Sequence, residues 1–376
     1  MKYEKIALSI VLVSLPCLVF GAILPVYTKN QGYSVFQLTL LFSVFSCSEL
    51  FMRVFIGKIS DRYSRYVILC VSVLLYGLAY LMLSGAQNLI YLMIARMIQG
   101  AAGILLTISA VSFITAEHGN FASGFGRYSR SRNLGGLIGI GLAFYLFSRS
   151  QFLEGWKNLF VISAVSCLAS FIFMVSRKKD LVAQPVIPSQ KVVYTRLEQK
   201  IWLLNMLYCI VSSLAGVLII PYMMAVYDVD MGVIGLVFLL PVFLSSYFSP
   251  RIGRIGDRVG YRKTIFFSTV LAAVFILFLT FRMDLKVFAI IWTLYELSLS
   301  AQDYSLDGLF VKEIPKDRIG NFYGKYMLGT SLGGIVGPFF GGVLYQMLGR
   351  TAPYVACSIF LLLLTLLAFL LLPEEN

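Results

Sequence analysis

The chain has 376 residues, of which 59% are hydrophobic and 13% are charged, with a mean hydropathy of +0.84. A soluble domain has roughly 25% charged residues, so this chain has too few charges to cover a globular surface, and a soluble protein is excluded. The net charge of +13 indicates cationic loops that orient a membrane protein rather than a nucleic-acid partner.

Apolar stretches between charged residues and glycine or proline breaks predict twelve membrane-spanning helices. In chain order these spans are 6–27, 36–57, 67–84, 89–114, 132–148, 157–176, 201–223, 233–250, 264–281, 287–309, 325–347 and 353–372. A span needs about 20 apolar residues, so twelve spans leave room only for short connections. The first stretch is longer than the core of a signal peptide, and we therefore expect it to be an uncleaved span.

The loop charges predict the orientation of the chain. Loops on the side of the N-terminus hold most of the 31 lysine and arginine residues, including Arg127, Arg130 and Arg132. Loops on the opposite side hold Lys29, Arg149, Lys157, Arg282, Lys286 and Arg350. Cationic loops remain in the cytoplasm, so both termini are expected there. The longest polar segment, 177–200, predicts a cytoplasmic linker between an N-terminal half, 1–176, and a C-terminal half, 201–376.

The two predicted halves are copies of one unit. The segment 57–66 matches the segment 253–262 at an offset of 196 residues, with glycine, aspartate and arginine at the same places. The segment 134–139 matches 332–337 at an offset of 198 residues, so an insertion separates the two alignments. Parallel repeats of this kind are typical of transporters with a site near the bilayer midplane.

Three motifs, one of them present twice, carry a resemblance to a known family. The segment that begins at Gly57 resembles the loop signature of the major facilitator superfamily, G-x-L-x-D-R-x-G-R-R, and a second copy begins at Gly253. Residues 96–100, Arg-Met-Ile-Gln-Gly, resemble the R-x-x-Q-G motif of the family. Residues 333–342 resemble the G-x-x-x-G-P-x-x-G-G motif that the drug–proton antiporter branch carries on span 5, although here it lies on span 11 and Ile140 replaces the proline of the span 5 copy. The resemblance covers the whole chain and implies an all-α membrane protein with twelve helices in two six-helix pseudo-repeats.

The duplicated signature loops supply a candidate latch. The resemblance implies that charged residues at the cytoplasmic face hold the two halves together while the central cavity faces outward. In this interpretation Asp61 faces the positive N-terminus of a neighbouring helix, and an arginine pairs with Glu117. The alternative is a charge cluster that ends each span at the lipid headgroups. The candidate residues are Gly57, Asp61, Arg62, Arg65, Glu117, Gly253, Asp257, Arg258 and Glu313.

Glycines on spans 5 and 11 predict close contacts between helices. Their small-x-x-x-small spacing puts residues without bulky side chains on one helix face, and Pro338 predicts a bend. The alternatives are packing alone and a hinge or seal between the halves. The residues are Gly135, Gly139, Gly333, Gly337, Pro338 and Gly341.

Charged side chains within the predicted spans indicate the site of transport, because burying a charge in hydrocarbon is costly. The candidates for handling substrate or protons are Arg96, Gln99, Glu296, Asp303, Glu49 and Arg53. Glu49 and Arg53 are four residues apart, a spacing that also suits an ion pair with a purely structural role. Arg96 and Glu296 lie at similar depths in spans 4 and 10, which line the cavity in the family; a buried pair within one half is the alternative.

Asp303 and Asp307 share one helix face with Glu296, because seven and eleven residues are close to two and three helical turns. Three carboxyl groups on one face predict a proton route toward the cytoplasm. Near the cytoplasmic boundary, Asp307 is expected to be solvated or paired with Arg258.

The residues predict a transporter and not an enzyme. The single histidine, His118, is expected in a loop, and the six cysteines fall in apolar stretches without Cys-x-x-Cys spacing, so neither a metal site nor another cofactor is expected. No phosphate-binding G-x-x-x-x-G-K-[ST] motif occurs, which argues against transport driven by ATP.

The sequence therefore predicts a monomeric secondary transporter of the cytoplasmic membrane. Its partners would be the lipid bilayer, a small-molecule substrate and protons, with no nucleic acid, and its activity would be proton-coupled export of amphipathic compounds. One alternative is an uptake permease for a sugar, an organic acid or a peptide-like solute. The other is a receptor or scaffold that does not transport.

Overall fold

The computed structural model describes residues 2–86, 88–118, 121–176, 194–227, 258–313 and 319–373, with scattered residues between 229 and 256. Within these residues the regular structure is helical, with no strand. The helices are α1 (Lys2–Val13), α2 (Phe20–Asn30), α3 (Val35–Arg62), α4 (Arg65–Ser84), α5 (Leu89–His118), α6 (Phe121–Arg149), α7 (Phe152–Ser176), α8 (Arg196–Gly216), α9 (Ile219–Val226), α10 (Tyr261–Phe278), α11 (Leu285–Glu313), α12 (Ile319–Leu348) and α13 (Ala352–Leu371). The predicted all-α membrane fold is confirmed.

Eight of the described helical stretches are long and apolar enough to cross a membrane, judged by length and composition. Their apolar side chains point outward in many places, and on α13 Leu366 and Leu370 are 61% and 79% exposed. A soluble protein rarely exposes such an apolar surface to water, so we expect this surface to face lipid. The other four predicted spans coincide with α1 and α2, with the charge-bearing helices α6 and α11, and with 233–250, which is described only in part.

Capping residues set several helix boundaries. The hydroxyl of Ser64 accepts a hydrogen bond from the backbone N–H of Val67 (3.4 Å) at the start of α4. Thr195 and Glu198 form a reciprocal capping box at the start of α8, with hydrogen bonds of 3.2 and 2.6 Å. Gly260 precedes α10 with a φ of 99°, a conformation that favours glycine. These signals fix where the chain leaves one helix and enters the next.

The chain divides into two compact units, 1–32 with 44–190, and 33–43 with 191–376. In the first unit α4 packs against α5 and α7, and α1 packs against α6 and α7. In the second unit α10 packs against α11 and α13, and α8 packs against α12 and α13. Under the sequence repeat α1, α4, α5, α6 and α7 correspond to α8, α10, α11, α12 and α13. These four helix pairs of the first unit therefore recur in the second.

The N-terminal part of α3 belongs to the second unit. The Ser43 hydroxyl donates a hydrogen bond to the carbonyl oxygen of Ile335 on α12 (2.9 Å), and the ring of Phe36 meets Phe339 edge-on at 5.7 Å between centroids. These contacts attach the first turns of α3 to α12.

The first predicted span is interrupted, which corrects the expectation of one continuous helix over 6–27. Residues 14–19 form turns between α1 and α2, because Pro16 has no N–H to donate to the carbonyl of Leu12. Two side chains replace the lost backbone hydrogen bonds. The Ser166 hydroxyl donates to the carbonyl of Leu12, and the Tyr80 hydroxyl donates to that of Val13 (2.9 Å). Span 7 is interrupted likewise, at residues 217–218.

The boundaries of span 5 also differ from the prediction of 132–148. The helix α6 begins at Phe121, so Arg127, Arg130 and Arg132 are helical and not part of a loop. The charges of these arginines and the neighbouring glycines lower the local hydropathy, so an apolar stretch does not mark the first turns of this helix.

In the first unit, glycines of α6 allow close packing against α1. A Cβ added at Gly139 would collide with the carbonyl oxygen of Leu15, and one added at Gly135 would collide with that of Val11. The obstacle is backbone in both cases, so a side chain could be accommodated only by moving the helix.

In the second unit, glycines of α12 pack against α8 in the same way. A Cβ at Gly337 would lie 2.5 Å from the carbonyl oxygen of Ile210 and would collide with the Ser213 hydroxyl. A Cβ at Gly341 would collide with the backbone of Leu214, and one at Gly333 would collide with the side chain of Cys209. These glycines allow helices of one unit to pack closely, as the alternative of packing alone expects. A hinge role stays a prediction.

We expect Gly139→Leu and Gly337→Leu to lower the thermal stability of the purified protein and to slow transport. Overpacking in a core costs about 1–3 kcal/mol, and contact with backbone places these two changes at the upper end. The matched control is Gly141→Leu on α6, because a Cβ there meets no atom within 4 Å. Equal melting temperatures for Gly139→Leu and Gly141→Leu would show that the close approach of α1 and α6 does not matter.

Candidate functional site

One face of α5 carries the polar residues of the first unit. Arg96 and Gln99 are 4% and 5% exposed, and the guanidinium Nη1 of Arg96 donates a hydrogen bond to the Gln99 Oε1 (2.5 Å). Gly103 and Thr107 continue this face at intervals of about one helical turn. The R-x-x-Q-G motif therefore places an arginine and its hydrogen-bond partner inside the helix bundle.

Two aromatic rings flank the Arg96 guanidinium. Its central carbon lies 4.7 Å from the ring centroid of Phe20 and 4.1 Å from that of Phe45. Phe20 begins α2, directly after the interrupted segment 14–19, so the break in the first span helps to position this ring. Cation–π contacts of this geometry stabilise a desolvated arginine.

Gly100 brings α3 against α5. A Cβ at this position would lie 2.5 Å from the carbonyl oxygen of Phe45 and 3.3 Å from the Cβ of Ser48. The Ser48 hydroxyl in turn donates a hydrogen bond to the carbonyl oxygen of Met97 (2.5 Å). The glycine of the motif thus allows the close crossing that brings Glu49 to this part of α5.

Glu49 lies beside Gly103 and Tyr76. A Cβ built on Gly103 would be 3.9 Å from the Glu49 Oε1 and 3.0 Å from the Tyr76 hydroxyl oxygen. Arg53, Arg132 and Arg96 all lie within electrostatic range of this carboxyl group, with Arg53 exerting the largest effect. The predicted pairing of Glu49 with Arg53 is therefore part of a larger cluster that includes Arg96.

Arg132 is a site residue that the sequence analysis missed. It lies near Tyr128, Tyr76 and Glu49, and the Tyr128 hydroxyl is hydrogen-bonded to the Thr107 hydroxyl at 2.8 Å. The signal was present in the spacing, because positions 128, 132, 135 and 139 fall on one face of a helix. Gly135 and Gly139 face α1, and Arg132 lies three residues before Gly135 with an exposed side chain.

In the second unit, three acidic side chains share the more open side of α11. Asp303 is exposed, and Glu296 and Asp307 are half-buried, while Gln302 and Ser305 between them are buried at 1% and 2% exposure. Glu296 and Asp307 both lie within electrostatic range of Asp303. The arrangement matches the helix face that the spacing predicts.

Several buried polar atoms of α11 have no hydrogen-bond partner among the residues that the structure describes. They are the Trp292 Nε1, the Gln302 Nε2 and the Ser305 hydroxyl. Such atoms are rare in folded proteins, and three on one helix mark α11 as an unusually polar membrane helix. Arg96 lies in the first unit and Glu296 in the second, and the contacts described for Arg96 come from its own unit.

The latch prediction falls largely outside the described side chains. Arg65 begins α4 and is half-buried, and Arg258 is exposed. The other latch residues either lie in helix ends whose side chains are not described or lie outside the described residues. They are Gly57, Asp61, Arg62, Glu117 and Glu313 in the first group, and Gly253 and Asp257 in the second. The latch stays a prediction.

The described residues contain no group of three histidine, cysteine or acidic side chains that could hold a metal ion. The six cysteines are free thiols, and Cys70, Cys167 and Cys357 are buried.

Comparison with known proteins places these features in context. The family model of the Major Facilitator Superfamily matches residues 6–194 and 201–376. The chain is 28% identical to the quinolone resistance protein NorA of Staphylococcus aureus over 127 residues, which are 33% of this chain and 32% of NorA. The match thus spans about a third of the length of that relative.

Two further comparisons cover nearly the full chain. The MFS-type transporter MJ1560 of Methanocaldococcus jannaschii is 20% identical over 366 residues, which are 93% of this chain and 92% of that protein. The crystal structure of a bacterial homolog of the human lysosomal transporter Spinster, in an inward-facing and occupied conformation, superposes with a TM-score of 0.72 at 16% identity, covering 98% of this chain and 96% of the other. The folds are therefore alike.

Proposed function

The chain belongs to the Major Facilitator Superfamily, and we propose that it exports amphipathic compounds across the cytoplasmic membrane in exchange for protons, by alternating access. Its fold and family are those of a membrane transporter. The observation that carries the finer proposal is the row of carboxyl groups of Glu296, Asp303 and Asp307 on one side of α11. The partial likeness to NorA supports export.

In the proposed mechanism Glu296 exchanges its proton for substrate. Burial favours the neutral form of a carboxyl group, whereas a nearby cation favours the charged form. A proton and the cationic part of a substrate would then exclude one another at Glu296. That exclusion couples the two fluxes, because the unit can change its accessibility with one or the other bound. Asp303 and Asp307 would pass the proton toward the cytoplasm.

Flux measurements in proteoliposomes test this proposal. The purified protein is reconstituted, and the entry of fluorescent cationic, zwitterionic and anionic amphipathic dyes is followed with imposed pH gradients. An exchanger accumulates a dye when the lumen is acidic, because protons leave as the dye enters. An uptake permease that moves substrate together with protons accumulates it when the lumen is alkaline. A receptor or scaffold gives the same signal as empty liposomes under both gradients.

We expect Asp61→Asn to slow turnover several-fold while the protein inserts and folds normally, and Asp257→Asn to have a smaller effect. The duplicated loops place one aspartate at the end of each second span, where the proposed latch forms and breaks in every cycle. Initial rates of dye entry, normalised to reconstituted protein, measure the effect. The control is Asp284→Asn, because Asp284 is exposed in the loop before α11. A wild-type rate for Asp61→Asn would contradict the latch.

A further inference from the structure

Cationic side chains gather at the end of α13, within the second unit. The Arg262 guanidinium Nη2 donates a hydrogen bond to the carbonyl oxygen of Phe369 (2.6 Å), and the guanidinium carbon lies 4.1 Å from the centroid of the Phe369 ring. The Lys200 ammonium group donates a hydrogen bond to the carbonyl oxygen of Leu371 (3.4 Å). Lys263, which follows Arg262 on α10, is exposed. The first turns of α8 and α10 thus bring positive charge to the last turn of α13.

These hydrogen bonds hold the cations in place without neutralising them. Basic side chains commonly bind the last carbonyl groups of a helix, and a carbonyl group carries no net charge. An ammonium group has three N–H donors, so the Lys200 side chain can bind a further oxygen atom beside Leu371. The acidic residue nearest to Lys200 on α8 is Glu198, which is buried and accepts a hydrogen bond from the backbone N–H of Thr195 in the capping box.

The first unit has the same contact without the positive charge. At the offset of 196 residues the three cations are replaced by an aromatic, an aliphatic and an acidic residue, which are Tyr66, Val67 and Glu4. The Tyr66 hydroxyl donates a hydrogen bond to the carbonyl oxygen of Met174 near the end of α7 (3.4 Å), as Arg262 does near the end of α13. A neutral donor is therefore sufficient for this contact, and the cations of the second unit have a further role.

An apolar surface extends from the cations along the outside of the second unit. Phe267 lies one helical turn after Lys263 on α10 and is 61% exposed, and Leu271 is exposed one turn later. On α13, which packs against α10, Leu366 and Leu370 are exposed as well. Positive charge at one end of an exposed apolar surface matches the anionic headgroup and the acyl chains of a phospholipid.

We propose that Lys200, Arg262 and Lys263, here called the α13 corner, bind the headgroup of an anionic phospholipid whose acyl chains lie on α10 and α13. A guanidinium group binds two oxygens of a phosphate, and basic pockets at the membrane surface bind anionic headgroups. A zwitterionic headgroup fits less well, because its own cation is repelled. The lipid would join the starts of α8 and α10 to the end of α13 and so stabilise the second unit. This proposal is independent of the direction and coupling of transport.

Thermal unfolding with two lipids that share their acyl chains tests the proposal. The purified protein in detergent is titrated with dioleoylphosphatidylglycerol or with dioleoylphosphatidylcholine, and unfolding is followed by intrinsic fluorescence. A ligand that binds only the folded protein raises the melting temperature, so we expect the anionic lipid to raise it by about 2–4 °C more than the zwitterionic lipid. Added salt should reduce this difference. Equal shifts with the two lipids would overturn the proposal.

Single substitutions locate the effect at the α13 corner. Lys263→Gln should remove most of the difference between the lipids, because it removes one exposed charge, and Lys263→Arg should retain it. Lys200→Gln repeats the test on a second helix. The matched control is Lys286→Gln, because Lys286 is exposed at the start of α11, after the chain has left the far end of α10. An unchanged difference in Lys263→Gln and Lys200→Gln, or an equal loss in Lys286→Gln, would contradict the proposal.

Two further arms exclude other occupants of the α13 corner. Glycerol phosphate, which has the phosphate but no acyl chains, should give no shift at the same concentration, and a full shift would refute a lipid site. Glu374 and Glu375 follow α13 and lie outside the described residues. Replacing both by glutamine should leave the difference between the lipids in place. A difference that appears only in this double variant would show that the acids of the chain itself occupy the α13 corner, and would refute the proposal.

Discussion

Replacing Glu49 by glutamine is expected to destabilise the protein strongly. The change leaves Arg53, Arg96 and Arg132 without the carboxylate that compensates them. Removing one partner of a buried ion pair costs about 3–5 kcal/mol, and the partial exposure of Glu49 brings the expected loss to about 2–3 kcal/mol. Thermal unfolding of the purified protein, followed by intrinsic fluorescence, measures it as a lower melting temperature.

The matched control for this change is Glu154→Gln. Glu154 is exposed in the first turn of α7, so removing its charge should leave the melting temperature near that of the wild type. Added salt should restore part of the stability lost in Glu49→Gln, because ions screen the repulsion among the arginines. Equal melting temperatures for the two variants would show that the arginines are compensated by other groups.

Replacing Glu296 by glutamine is expected to abolish proton-driven transport. The amide resembles the protonated carboxyl group but cannot release a proton, so the variant should no longer exchange protons for substrate. We expect accumulation of dye under an acid-lumen gradient to fall at least tenfold. Movement of dye down its own gradient should persist at a reduced rate, because the amide no longer attracts the cationic part of the dye but does not prevent the change in accessibility.

The comparison of the two conditions makes this prediction specific. Loss of both downhill and uphill movement would indicate a folding or binding defect, which the melting temperature and dye binding of the variant would reveal. Uphill accumulation in Glu296→Gln at the wild-type level would contradict the assignment of Glu296 to the coupling step. Glu154→Gln again serves as the control, since it removes an exposed carboxylate that belongs to the first unit.

The repeat in the sequence predicted much of the fold. The offsets of 196 and 198 residues imply that helix contacts in one half recur in the other, and the pairs α1 with α6 and α8 with α12 do so. The glycine spacing on α6 and α12 predicted where helices approach closely. These features are accessible from sequence because they depend on local spacing and on the absence of side-chain volume.

The breaks in the first and seventh spans were not predicted. Hydropathy measures how apolar a stretch is but not whether its backbone hydrogen bonds continue. Pro16 was a visible signal, yet a proline within a membrane helix can also produce only a bend. The hydroxyl groups of Ser166 and Tyr80, which satisfy the freed carbonyls, come from distant parts of the chain and are recognisable only in three dimensions.

The candidate site was predicted in part. Arg96, Gln99 and Glu49 were predicted as site residues because they are polar residues in apolar stretches. Arg132 did not, because the polar residues around it concealed the start of α6 and placed it in an apparent loop. Arg132 and Gly139 fall on the same face of the helix. This periodicity predicts the position of Arg132 better than mean hydropathy does, because it depends on the direction of a residue around the helix axis.

Proton movement driven by substrate alone tests the central claim most directly. Proteoliposomes without an imposed pH gradient carry a pH-sensitive dye in the lumen, and a transported compound is added outside. Coupling between two fluxes is reciprocal, so a substrate gradient must move protons if a proton gradient moves substrate. An exchanger predicts that the lumen becomes alkaline as the compound enters, with no such change in Glu296→Gln. Entry of the compound without any change in lumenal pH would contradict the account.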